Sequence, residues 1–80
     1  MPRLSARWLE IAREQFDALP LETQRQVDAR IEELLEQPEE SRDAYESRSD
    51  QWTTTYGDGS GLILYAVVRE HQMLLVLRLV

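Results

Sequence analysis

The order of two hydrophobic periods along the chain limits its possible folds more than any other feature. From residue 6 to residue 19, apolar side chains recur at steps of three and four, the spacing of one helix face. The same spacing returns over residues 22–37, with Pro20 between the two segments and Pro38 after the second. Beyond residue 50 the period changes to two, which is typical of strands. The sequence therefore predicts helices first and a sheet afterwards.

Each predicted helix has one apolar stripe. The stripe of the first consists of Trp8, Ile11, Ala12, Phe16 and Leu19. That of the second consists of Val27, Ile31, Leu34 and Leu35. Residues 3–5 could form a short edge strand before the first helix, or Ser5 could cap that helix. Because the connection at Pro20 is short, the two helices are expected to form an antiparallel hairpin.

The second half predicts a loop and then strands. Residues 38–50 hold two arginines against five acidic residues and few apolar side chains, so they are predicted to be an acidic loop. Three β-type runs follow, at residues 52–56, 62–68 and 73–80, joined by the glycine-rich segment 57–61 and a turn near residues 70–72. The expected fold is α+β: one domain over residues 1–80, with a helical hairpin packed on a mostly antiparallel sheet of three to four strands.

Composition excludes several classes of function. The net charge is −6 and all nine basic residues are arginines scattered along the chain, which disfavours nucleic-acid binding. The chain has no cysteine, so disulfides and cysteine-based zinc sites are excluded, and no metal or cofactor is expected. No apolar run approaches the roughly 20 residues that span a membrane, and the N-terminus lacks a signal-peptide pattern. A cytoplasmic protein is the expectation.

The order of these features resembles the RelE/ParE superfamily, the small toxins of bacterial toxin–antitoxin pairs. The matching features are a helix ending in Leu19-Pro20, a second helix ending in Glu36-Gln37-Pro38, Trp52 before the first strand, a glycine-bearing turn, and strands at residues 64–67 and 76–80. The resemblance covers nearly the whole chain. It implies the RelE/ParE-like fold and an antitoxin-type protein as partner.

The resemblance also shows where this chain departs from the ribonucleases of that superfamily. In ribosome-dependent members, basic side chains on one sheet face bind and cleave messenger RNA. The matching positions here are Thr53, Thr55 and Leu62. Attack of a 2′-hydroxyl on a phosphate needs a base, an acid and a group that stabilises negative charge. These three side chains supply none of them, so the sequence favours a protein that is not an enzyme.

Strand alternation predicts what occupies the sheet face opposite the helices. The residues expected there are Thr53, Thr55, Leu62, Leu64, Ala66 and Arg78, and those expected to face the helices are Trp52, Tyr56, Ile63, Tyr65 and Val67. Soluble monomers seldom expose a large contiguous apolar surface. The face is therefore predicted to bind an antitoxin-type protein or a second copy of the chain, although the acidic loop could also cover it.

The functional hypothesis is a toxin-related protein that acts by protein–protein contact through this apolar face, without cleaving RNA. One alternative is a divergent ribosome-dependent endoribonuclease that uses Arg78, Arg69 and Tyr56. Another is inhibition of DNA gyrase, as in ParE relatives, which needs no catalytic residue.

Overall fold

The computed structural model describes residues 4–36, 44–57 and 59–80. Within these ranges two helices pack on one face of a five-stranded sheet. The elements are β1 (Ser5–Trp8), α1 (Glu10–Asp17), α2 (Leu21–Glu36), β2 (Ala44–Glu46), β3 (Gln51–Tyr56), β4 (Gly61–Val68) and β5 (Met73–Leu79), with a 3₁₀ turn at Arg69–His71. The strand order is β1-β5-β4-β3-β2, and β1 pairs with β5 in parallel while the other pairs are antiparallel. The predicted α+β architecture is confirmed, with more strands than predicted.

The N-terminal segment differs from its prediction. Residues 6–8 were predicted to be helical, but they belong to β1, and the predicted edge strand lies at residues 5–8 instead of 3–5. Pairing of Ala6 with Leu74 and of Trp8 with Val76 holds this segment extended. Ser5 is not a helix cap, because α1 begins only at Glu10.

Helix α2 follows its predicted stripe, whose four apolar residues are all buried. The stripe also contains Arg30, which is only 6% exposed. The Arg30 guanidinium donates hydrogen bonds to Thr54 Oγ1 from Nε (3.1 Å) and Nη2 (2.8 Å). The predicted end of this helix at residue 37 lies outside the described residues.

The segment predicted as an acidic loop contains a strand. Residues 38–43 lie outside the described residues, whereas Ala44–Glu46 form β2 and pair with β3, which corrects the prediction for these three positions. The centroid of the Tyr45 ring lies 4.8 Å from that of Trp52, which pairs with Tyr45 on β3. A cross-strand aromatic pair of this kind stabilises a short edge strand.

One hydrophobic core lies between the helices and the sheet. Its sheet side is formed by Tyr56, Ile63, Tyr65, Leu74, Val76 and Leu79, all buried. Trp52 and Val67 are partly buried and pack against this core. The five strand residues predicted to face the helices therefore do so.

Candidate interaction face of the sheet

The sheet face turned away from the helices, called here the open face, brings the six predicted site residues together. Strand alternation and cross-strand pairing place Thr53 beside Leu64, Leu64 beside Arg78, and Thr55 beside Leu62. Ala66 lies beside Leu75 on the same face. Thr55, Leu62 and Arg78 are exposed, and the other three predicted residues are half-buried. The open face is therefore a continuous surface of threonine and aliphatic side chains with arginine at its margin.

An irregularity in β5 determines which side Arg78 faces. The pairing register with β4 shifts between Leu64, which pairs with Arg78, and Tyr65, which pairs with Val76. Leu77 is thus an extra residue, as in a β-bulge, and such residues change the direction of neighbouring side chains. Strict alternation from buried Val76 would turn Arg78 towards the core. The bulge instead leaves it exposed and returns Leu79 to the core.

A side chain of α1 stabilises this irregular end of β5. Gln15 Oε1 accepts a hydrogen bond from the backbone N–H of Leu79 at 2.8 Å. Strand β1 has already ended here, since its last pair joins Trp8 and Val76. Gln15 therefore supplies the acceptor that a neighbouring strand would otherwise provide.

A hollow opens where the open face meets the start of α1, and we call it the anchor hollow. Its volume is about 330 Å³, and it is lined by Leu9, Ile11, Gln51, Leu64, Leu77 and Arg78. Leu9 and Ile11 are 42% and 46% exposed. Ile11 was predicted to lie in the core, but the buried face of α1 is formed by Ala12 and Phe16, so that prediction was wrong.

Sequence reasoning missed a second cation on the open face. Arg7 was placed on a helix, whereas its position in β1 beside Leu75 puts it on the open face. In the described part of the chain, no hydrogen bond or ion pair involves the guanidinium of Arg7 or Arg78. Both charges are thus unpaired within the described residues.

The three residues of the nuclease alternative do not converge. Tyr56 is 5% exposed and faces the helices, on the opposite side of the sheet from Arg78. Arg69 lies in the turn after β4, whose last residue is Val68. Val68 is four residues from Leu64, the partner of Arg78, which is about 13 Å along the strand, and Arg69 lies beyond it. This arrangement provides no common site for these three side chains.

A second cleft lies on the helix side of the sheet, between β2 and the 3₁₀ turn. Tyr45, Trp52 and Val67 are among its lining residues. The Tyr45 hydroxyl donates a 2.6 Å hydrogen bond to Asp50 Oδ1. This bond to the carboxylate, with smaller contributions from desolvation and from the charge of Asp50, raises the pKa of Tyr45.

The described residues contain neither a metal-binding cluster nor a membrane-spanning helix. No group of three or more His, Cys, Asp or Glu side chains is arranged to hold a metal ion there. No helix in the same ranges has the length and apolar character that a membrane span requires.

Comparison with known proteins agrees with the fold. No protein-family model matches the chain, and no curated protein matches its sequence. Among solved structures, the chain aligns with one from the intact E. coli RelBE toxin–antitoxin complex at a TM-score of 0.85 and 17% identity, covering 95% of this chain and 93% of that one. The chain has the RelE fold. The isolated E. coli RelE toxin gives the same TM-score and identity, with 95% and 81% covered. The RelE-like fold implied by the sequence resemblance is thereby confirmed.

Proposed function

We propose that this protein is a RelE-like, toxin-related protein that acts by binding an antitoxin-type protein through the open face and does not cleave RNA. The supporting observation is the chemistry of that face. Leucine, alanine and threonine occupy it, with arginines Arg7 and Arg78 towards one side. The structural neighbour RelE occurs in a toxin–antitoxin complex, which supports a protein of that kind as partner.

The exposed apolar area gives the scale of such an interaction. Leu9, Ile11 and Leu62 are 42%, 46% and 37% exposed. Complete burial of one such side chain contributes about 2 kcal/mol, so covering only the exposed fractions of these three would contribute about 2.5 kcal/mol. A stable interface buries about 800 Å² on each partner. The partner must therefore extend beyond these three side chains, across the half-buried strand residues and the sheet margin.

Residue chemistry supports the absence of cleavage. Thr53, Thr55 and Leu62 occupy the positions where the resemblance places basic side chains, and none of them exchanges a proton or carries charge near neutral pH. Arg78 is separated from Arg69 by distance and from Tyr56 by the sheet itself. The exposed arginines of the open face, Arg7 and Arg78, could contact a phosphate, but a guanidinium that stays protonated has no lone pair to act as the base.

Co-purification tests the proposed partner. The chain is co-expressed with the product of the neighbouring reading frame, and complex formation is measured by pull-down and light scattering. Leu62→Glu should weaken the complex at least tenfold, because it places a charge in the apolar interface. Leu21→Glu is the matched control, since Leu21 is a 64% exposed leucine on α2. It should leave the complex unchanged.

The outcomes separate the possible occupants of the open face. A complex that survives Leu62→Glu would place the contact elsewhere and contradict the proposal. A chain that forms dimers without the second protein, and loses them with Leu62→Glu, would make the occupant a second copy. A chain that stays monomeric and binds no protein would contradict the proposal altogether.

A separate assay tests the absence of cleavage. Purified protein is added to translating ribosomes, and transcripts are mapped for new 5′ ends. No cut transcripts are expected from the wild-type chain. Cuts that disappear with Arg78→Ala would favour the nuclease alternative and overturn this part of the proposal.

A further inference from the structure

We infer that the anchor hollow receives an apolar side chain that lies next to a carboxylate, within an acidic amphipathic segment of the protein partner. This inference rests on the proposed function and specifies the partner's chemistry at one point of the open face. It follows from the shape of the hollow, the position of its cation and the bulge in β5.

The shape of the hollow fits a single anchoring group. Four of its six lining residues are aliphatic, namely Leu9, Ile11, Leu64 and Leu77. Its volume of about 330 Å³ is at the lower end of the range for small-ligand sites. A concave apolar site of this size suits one large side chain, and such anchors contribute a large share of the energy of protein interfaces.

The charge of the hollow determines which chemical group of the partner lies next to that side chain. Arg78 is the charged member of the lining, and Gln51 adds an amide beside it. None of the six lining residues is acidic, although the whole chain carries a net charge of −6. The Arg78 guanidinium makes no ion pair within the described ranges. Because guanidinium groups bind carboxylates through paired hydrogen bonds, the hollow favours an acidic ligand.

The bulge places the apolar and cationic parts side by side. Leu77 and Arg78 are consecutive residues, so in a regular strand their side chains would lie on opposite faces. Here both line the hollow. The bond from the Leu79 N–H to Gln15 holds this part of β5 in its irregular register. The partner group must therefore also combine an apolar body with a nearby negative charge.

Methyl NMR on the full-length chain tests the inference with two probes of equal shape, 4-phenylbutanoate and its neutral amide. The carboxylate should bind with a Kd of about 1–10 mM, as expected for a ligand of 12 heavy atoms, and should shift the leucine and isoleucine methyl signals of the hollow. The amide should bind about three- to fivefold more weakly, the ratio typical of an exposed charge pair.

Two variants separate the roles of shape and charge. Ile11→Gln should weaken both probes, since it removes part of the apolar wall. Arg78→Gln should bring the carboxylate to the affinity of the amide and leave the amide unchanged. The matched controls are Leu21→Gln and Arg25→Gln, which alter an exposed leucine and an exposed arginine on α2. They should leave the affinity for both probes unchanged.

The result that would overturn the inference is the absence of saturable shifts at the hollow, or equal binding of the two probes to the wild-type chain. Retention of the carboxylate preference in Arg78→Gln would also overturn it. These failures are distinct from failure of the proposed function. A protein complex that is lost in Leu62→Glu, without probe binding, would contradict only the anchor hollow. Charge-selective probe binding in a chain that forms no complex would support the hollow and contradict the proposed function.

Discussion

The contact between Arg30 on α2 and Thr54 on β3 yields a quantitative prediction about stability. Arg30 is 6% exposed and Thr54 is 4% exposed, and two guanidinium nitrogens donate to the same hydroxyl at 3.1 and 2.8 Å. Thr54→Val preserves the shape of the side chain and removes the acceptor. We expect this variant to be destabilised, because it withdraws two charge-assisted hydrogen bonds from a buried cation.

The magnitude follows from the two hydrogen bonds that the variant removes. A hydrogen bond to a charged group contributes about 1.5–3 kcal/mol. The bond from Arg30 Nη1 to Glu33 Oε1 at 3.4 Å is not affected by the substitution, and because Glu33 is 60% exposed this ion pair contributes little. Thr54→Val should therefore lower the free energy of unfolding by about 2 kcal/mol. For a chain of this length that loss corresponds to a fall in Tm of about 8–16 °C.

A double-mutant cycle tests whether the stability lost in Thr54→Val comes from the contact with Arg30. Arg30→Met removes the buried cation, so adding Thr54→Val to that variant should cost less than about 0.5 kcal/mol. The free energies come from urea unfolding followed by far-UV circular dichroism at one protein concentration. Thr53→Val, on the open face, is the control and should change stability by less than about 0.5 kcal/mol. Equal losses from Thr54→Val in both backgrounds would refute the assigned contact.

Three other predictions concern turns and the strand end. Gly61→Ala should lower stability by about 1–3 kcal/mol in urea unfolding, since the added Cβ would lie 2.7 Å from the Val80 carbonyl oxygen; wild-type stability in this variant would contradict the packing. Gln15→Met should lower the free energy of unfolding by about 1–2 kcal/mol, because the Leu79 N–H loses its acceptor. Hydrogen exchange of that amide should become faster, and unchanged exchange would argue against the contact. The pKa of Tyr45 is raised by its hydrogen bond to Asp50, so the folded chain holds this proton to higher pH than the unfolded chain. The resulting stabilisation is complete below the ordinary tyrosine value of about 10 and is lost as pH rises through the folded-state pKa. Asp50→Asn should lower the pKa of Tyr45 towards that value, as followed by the ¹³Cζ shift; an unchanged titration would contradict this origin.

Local periodicity was sufficient for the parts of the fold whose pattern is regular. Alternation along β3 and β4 predicted both faces correctly, because each strand residue's side follows from its neighbours. The core stripe of α2 was predicted for the same reason. Arg30 was overlooked, although it lies three residues after Val27 and four before Leu34, within that stripe. The spacing alone could have identified it as a buried cation in need of an acceptor.

The remaining errors come from contacts between distant residues. Trp8, Ile11 and Ala12 fit a helical stripe, yet pairing with β5 draws Trp8 into a strand. Once that strand forms, Ile11 leaves the core for the anchor hollow. The bulge was equally hidden, since the bond that accompanies it joins residues 64 positions apart. The candidate site was thus predictable on β3 and β4 and unpredictable beside α1.

The parallel pairing of β1 with β5 has a consequence for how the molecule reaches its native state. Ser5 lies opposite Met73, a separation of 73 − 5 = 68 positions in a chain of 80. Contacts between residues so far apart in sequence slow folding, because closing the intervening loop costs entropy before any strand hydrogen bond forms. During synthesis β1 cannot pair until β5, 68 positions later, has been made. The part of the open face beside β1 is therefore among the last parts of this fold to assemble.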